Sequence, residues 1–235
     1  MTHFVLVPGA NHGGWWFAPV VEALSALGHR ATAVTLSGLD PDGPPAPGAN
    51  LDRHVEELTA LVAAQPGPVV LVGHSYGGSV VTGAADADPE RVAALVYLDA
   101  FVPDDGDSCY TLTNDWQREW YLTGAAATGV DVEPLPFFDP RARPHPLGTL
   151  LQRSRLTGAW RSVARKLYAA AADPEWLTQS PFVPTAARLR DDPAWSVVDL
   201  PVSHNVLRDG PDLLVELLRD LGRAPRLEAG GSLAG

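Results

Sequence analysis

The segment Val69-Val70-Leu71-Val72-Gly73-His74-Ser75-Tyr76-Gly77-Gly78 decides the reading of this chain. Four apolar residues predict a fully buried strand, and residues 79–87 predict the helix that follows it. Between them a G-x-S-x-G turn reverses the chain within a few residues. A turn this sharp strains the serine's backbone and presses the residues two before and two after it against their neighbours. Glycine at 73 and 77 removes the side chains that would clash. The serine oxygen is then expected above the carboxyl ends of the strands, with free N–H groups of the next helix facing any anion that develops there. A tight strand-to-helix turn carrying an ordinary surface serine would share the bare pattern. The apolar strand before it and the third glycine after it single out Ser75 as a candidate nucleophile.

Outward from this turn, short β-rich runs alternate with amphipathic helical stretches, which predicts an α/β fold: a mostly parallel sheet flanked by helices. Strands are expected at 4–7, 31–36, 69–72, 92–98, 167–171 and 196–200. Helices are expected at 19–28, 51–64, 79–87 and 211–221, the last opening on Pro211 and carrying five leucines for burial. Residues 41–48 are too rich in Pro and Gly for a regular element. Residues 102–165 break the alternation, hold Trp116, Trp120 and Trp160, and contain no convincing strand. This organisation divides the chain into a first core part (1–101), a mainly helical cap (102–165), a second core part (166–222) and a frayed tail (223–235).

The loop after the first strand, Val7-Pro8-Gly9-Ala10-Asn11-His12-Gly13-Gly14, has small residues that allow backbone N–H groups to approach a substrate carbonyl. The N–H groups of Ala10 and Tyr76 are the expected oxyanion donors. Of the seven histidines, His204 lies just after the last strand and just before the last helix, where the base of a Ser–acid–His chain order belongs. His12 and His74 flank the loop and the turn and are expected to shape the pocket, His12 against substrate. The acid is expected at Asp173, ending the strand next to the one that precedes His204. Asp99, ending Leu95-Val96-Tyr97-Leu98-Asp99, is its rival, one strand nearer the nucleophile. Trp116, Trp120 and Trp160 are expected to line the substrate pocket.

Composition narrows the function classes. The 235 residues are 46% hydrophobic and 19% charged, with a formal net charge of −11. A surface this acidic repels phosphate backbones and anionic lipid, which argues against nucleic-acid and membrane partners and leaves a small-molecule substrate. Cys109 is the sole cysteine, so no intrachain disulfide forms. The start of the chain shows neither a basic segment nor a cleavable apolar stretch, and a cytoplasmic location is expected. No residue cluster calls for a metal or cofactor.

FVLVPGANHGGWWFAPV, VVLVGHSYGGSVV, LVYLDAFVPDDG and PVSHNVLRDGPDLLVELL together resemble the α/β-hydrolase family that includes plant methylesterases, hydroxynitrile lyases and many bacterial esterases. The resemblance covers both ends of the chain and leaves 102–165 largely unmatched. It implies an α/β-hydrolase fold with Ser75 as nucleophile, His204 as base, Asp173 as orienting acid, and Ala10 and Tyr76 as oxyanion donors. Pro8 departs from the His of a His-Gly pair, and Ser203 from a glycine before the catalytic His. One lyase branch uses a lysine just beyond that histidine. Here Asn205 and Val206 follow, which speaks against lyase chemistry. The expected activity is hydrolysis of a small, largely apolar ester through an acyl-enzyme. A lyase, cyclase or thioesterase-like enzyme of a natural-product pathway, and a ligand-binding relative with a vestigial triad, are the alternatives.

Overall fold

A computed structural model describes residues 1–223 of the chain. The strands in chain order are β1 (His3–Val7), β2 (Arg30–Ala33), β3 (Val69–His74), β4 (Val92–Leu98), β5 (Asp131–Val132), β6 (His145–Pro146), β7 (Lys166–Ala171) and β8 (Ser196–Leu200). Six of them form one sheet in the order β2-β1-β3-β4-β7-β8, every neighbouring pair parallel. The helices are α1 (Ala18–Ala26), α2 (Leu51–Ala63), α3 (Gly77–Ala87), α4 (Cys109–Leu112), α5 (Asp115–Gly124), α6 (Leu147–Leu151), α7 (Pro174–Leu177), α8 (Val183–Arg190), α9 (Val206–Asp209) and α10 (Pro211–Arg223). The tail expected from 223 onward lies, apart from Arg223, outside the described residues.

The central strands read as near-continuous apolar runs because both faces of a parallel sheet are covered. Phe4, Leu6, Val70, Val72, Val96 and Leu98 point to one face and pack with Val20, Leu24, Leu214 and Leu218 of α1 and α10. Val5, Val7, Leu71, Leu95 and Tyr97 point to the other and pack with Leu58 and Val62 of α2 and Val80 and Ala84 of α3. The Ala-rich run before Asp173 is the strand β7, buried along its whole length. β2 is shorter than expected, ending at Ala33. Beyond it Gly14 packs against the Ala33 carbonyl and its N–H donates to Thr35 Oγ1 at 2.8 Å, and residues 34–36 leave the sheet as a loop that buries Val34 and Leu36.

Residues 102–165 also differ from expectation, because β5 and β6 form a two-residue antiparallel pair. The sequence hides it: a pair this short has no period, and Pro146 stands in one of its strands. The rest of the segment is helical or irregular, and Asp86 of α3 ties it to the core. Its carboxylate accepts the Thr157 N–H at 2.6 Å and the Trp160 N–H at 3.1 Å.

Register places the site. Val7 lies opposite Gly73, and His74 opposite Leu98. The residues that leave β1, β3 and β4 at their carboxyl ends therefore emerge side by side. The close approach of β1 to α3 leaves no room at Gly77, where a Cβ would sit 2.4 Å from the Val7 carbonyl oxygen. Gly77→Ala should therefore cost about 1–3 kcal/mol by forcing backbone apart. A melting temperature lower by about 2–12 °C in circular dichroism is the expected result. An unchanged melting temperature would show that this contact does not constrain the turn.

Candidate active site

Ser75 sits between the end of β3 and the start of α3 with φ of +51°, a left-handed conformation that L side chains rarely adopt. Among the described residues, Asn11, Ser75 and Asp99 are the non-glycine residues with positive φ. All three lie at the carboxyl edge of β1, β3 and β4. Ser75 is 8% exposed and lines a cavity of about 340 Å³.

His204 lines the same cavity and donates its Nδ1–H to Asp99 Oδ2 at 2.8 Å. That bond fixes the tautomer and leaves Nε2 as the acceptor. Asp99 is 2% exposed. Its Oδ2 also accepts the Trp176 indole N–H at 2.9 Å, and its Oδ1 the Ala171 N–H at 3.3 Å. The Tyr168 hydroxyl bridges the N–H and C=O of Ala100 at 3.1 Å each, holding the chain just beyond the strained Asp99. The imidazole of His204 stacks on Trp176 and on Phe182, with ring centroids 4.8 and 5.3 Å apart.

The acid expected at Asp173 is thus not the group that meets His204. Asp173 lies near the His204 loop, its N–H donating to Val202 O at 3.1 Å, but its carboxylate caps α7 by accepting the Trp176 N–H at 2.9 Å. The sequence does carry this signal, since Asp173-Pro174-Glu175 reads as a helix start with Asp at N-cap, Pro at N1 and an acid in the first turn. The preference for Asp173 rested on adjacency of β7 to β8. The distances allow more: four residues past Leu200 reach about 13 Å when extended, whereas β8 to β4 is two strand spacings, about 10 Å.

The loop after β1 is fixed through Asn11. Its N–H donates to His145 Nδ1 at 3.1 Å, its Nδ2 to the Val132 and Arg143 carbonyls at 2.9 and 2.8 Å, and its own carbonyl accepts the Arg143 N–H at 2.9 Å. His145 Nε2–H in turn donates to Thr149 Oγ1 at 2.8 Å. Packed beside His145, the Tyr76 hydroxyl donates to His54 Nδ1 at 2.8 Å, while His54 Nε2–H donates to the Ser37 carbonyl. Two buried neutral histidines therefore hold Asn11 and Tyr76, one of them the residue after Ala10 and the other the residue after Ser75. No spacing pattern in the sequence links His145 or His54 to the loop, so sequence reasoning missed both.

His12 donates Nδ1–H to the Ala10 carbonyl at 2.7 Å and lines the cavity. His74 packs between Trp16 and His204 and donates Nε2–H to the His204 carbonyl at 2.9 Å, so it supports His204 from behind. Trp116 and Trp120 line the cavity together with Phe101, Phe137 and Phe138. Trp160 does not. It is buried beside Trp195 in the core, where Asp86 holds its backbone. Among the described residues no cluster could hold a metal ion, and no helix is long and apolar enough to cross a membrane.

Three comparisons place this geometry among known proteins. The profile of the Alpha/beta hydrolase family matches residues 4–231. A carbendazim hydrolyzing esterase of Nocardioides is 33% identical over 94% of this chain and 100% of its own length. Methylesterase 1 of Arabidopsis thaliana is 38% identical over 59% of this chain and 56% of its own. Among solved structures, an extracellular alpha/beta-hydrolase from a Paenibacillus species superposes with a TM-score of 0.79 at 21% identity, covering 95% of this chain and 100% of that one. A pyrethroid hydrolase from Sphingobium faniae gives 0.73 at 22%, covering 95% and 98%.

Burial holds His54 below the ordinary histidine pKa and His74 and His145 well below it. The unfolded chain binds protons at these three positions as pH drops below about 6.5 while the folded chain resists. Stability is therefore full above that pH and is lost as pH falls through the folded-state values. In urea titrations the unfolding free energy should decline from pH 7.5 to 5.5, and His145→Gln should make the decline shallower by up to about 1.4 kcal/mol per pH unit. An identical slope in the variant would mean that His145 is not held neutral.

Proposed function

The chain belongs to the Alpha/beta hydrolase family, and on that premise we propose that it hydrolyses a small, largely apolar ester with Ser75, His204 and Asp99 as a triad. The observation that carries the reading is the 2.8 Å bond to buried Asp99 from His204, which lines the same cavity as Ser75. His204 Nε2 takes the Ser75 proton as Oγ attacks the ester carbon, and Asp99 stabilises the imidazolium that forms. The N–H groups of Ala10 and Tyr76 receive the charge on the carbonyl oxygen. His204 then returns the proton to the departing alkoxide, leaving an acyl group on Ser75. In the second half it removes a proton from water, whose oxygen attacks the acyl carbon and releases the acid and free Ser75.

The aromatic wall of Trp16, Phe101, Trp116, Trp120, Phe137 and Phe138 supports an apolar substrate that shields the reaction from water. Trp116 is 48% exposed and Phe137 69%, so these two stand at the solvent side of the cavity.

On p-nitrophenyl acetate, Ser75→Ala should lower kcat by about a millionfold and Asp99→Asn by about ten-thousandfold, both proteins melting as the parent does. Activity within tenfold of the parent in either folded variant would refute the triad. Trp120→Ala should change the ratio of rates on butyrate and acetate esters by an amount equivalent to about 1–3 kcal/mol. Parallel loss on both esters would assign Trp120 to packing alone.

A further inference from the structure

We propose that Trp176 is a positioning residue for the His204–Asp99 pair, and that Asp173 acts through it by fixing the turn that carries it. The inference rests on the triad reading above. The Trp176 indole N–H reaches the same Asp99 oxygen that accepts the His204 proton, at 2.9 Å beside 2.8 Å. Two donors on one oxygen, with the Ala171 N–H on the other, leave the carboxylate one orientation. The indole also lies over the imidazole at 24° between planes. One side chain thus sets both members of the pair, and being a donor only it never competes for the histidine's proton.

α7 is a single turn of four residues, too short to persist by its own hydrogen bonds. Asp173 supplies what it lacks, accepting the Trp176 N–H at 2.9 Å, while the Asp173 N–H is anchored to Val202 O at 3.1 Å in the chain leading to His204. Backbone and indole of Trp176 are therefore held by two different carboxylates, Asp173 and Asp99.

Removing the indole N–H takes one of the two donors from Asp99 Oδ2 and frees the carboxylate, and the imidazole bonded to it, to turn away from their shared orientation. Trp176→Phe keeps a ring on the imidazole and deletes the donor. The experiment compares W176F, D173A, D173N and D99N on p-nitrophenyl acetate by kcat and KM, with folding checked by melting. The rate of Ser75 labelling by a small fluorophosphonate is measured beside these.

The expected result for W176F is a kcat about ten- to hundredfold lower with KM little changed, and slower labelling. D173A should follow in the same direction, and D173N should keep more activity than D173A because asparagine caps a helix as well as aspartate. A W176F enzyme with the parent's kcat and only a raised KM would overturn the inference, making Trp176 a wall of the pocket. D173N as damaged as D99N would overturn it differently, by making Asp173 chemically essential. A folded, active D99N would instead overturn the triad reading itself.

Discussion

Parallel pairing of β3 with β4 sets His74 opposite Leu98, and the next residue on each strand is Ser75 and Asp99. At one strand spacing, about 4.8 Å, the two chains turn away from the sheet at the same height. Everything else in the site is arranged about that pair of exits. The loop after β1 arrives beside Ser75 because Val7 is in register with Gly73. His204 comes from the other side, crossing over the end of β7 to reach Asp99. A slip of one residue by either β3 or β4 would turn that strand's exit to the opposite face of the sheet and separate the two.

Such exits are held against a local cost. Left-handed backbone at a non-glycine residue costs about 1–3 kcal/mol, and the chain adopts it at Asn11, Ser75 and Asp99 together. Each is held from outside: Asn11 by Val132, Arg143 and His145, Asp99 by Ala171, Trp176 and His204, and Ser75 by the close contact of α3 with β1. Asparagine and aspartate tolerate this conformation better than other side chains, since their short polar groups bond locally. The same polarity lets Asp99 serve His204.

Much of this was legible in the residues. The apolar run 69–72 with its glycines fixed the turn, and the β and α periods fixed the sheet with its flanking helices. His204 followed from chain order. Its carboxylate partner Asp99 did not, because adjacency in the strand order favours Asp173 unless the reach of residues 201–204 is added. The Asp-Pro-Glu start of α7, which commits the Asp173 carboxylate to a helix end, went unread. Trp160 resembled Trp116 and Trp120 in sequence, yet faces the core beside Trp195. The support given by His54 and His145 joins residues far apart in the chain through single hydrogen bonds, which leave no period and no spacing to detect.

The bonds that fasten Asn11 to residues 132, 143 and 145 also bear on how the cavity opens. Swinging that segment away as a rigid flap would break four hydrogen bonds and unseat the loop beside Ser75, so the catalytic geometry and a wide-open gate exclude one another. The exposed rings of Trp116 and Phe137 stand instead at the solvent side of the cavity. Rotamer flips of exposed side chains take picoseconds to nanoseconds, against microseconds to milliseconds for hinged domains. Motion of these two rings would therefore admit and release small molecules without disturbing the loop beside Ser75.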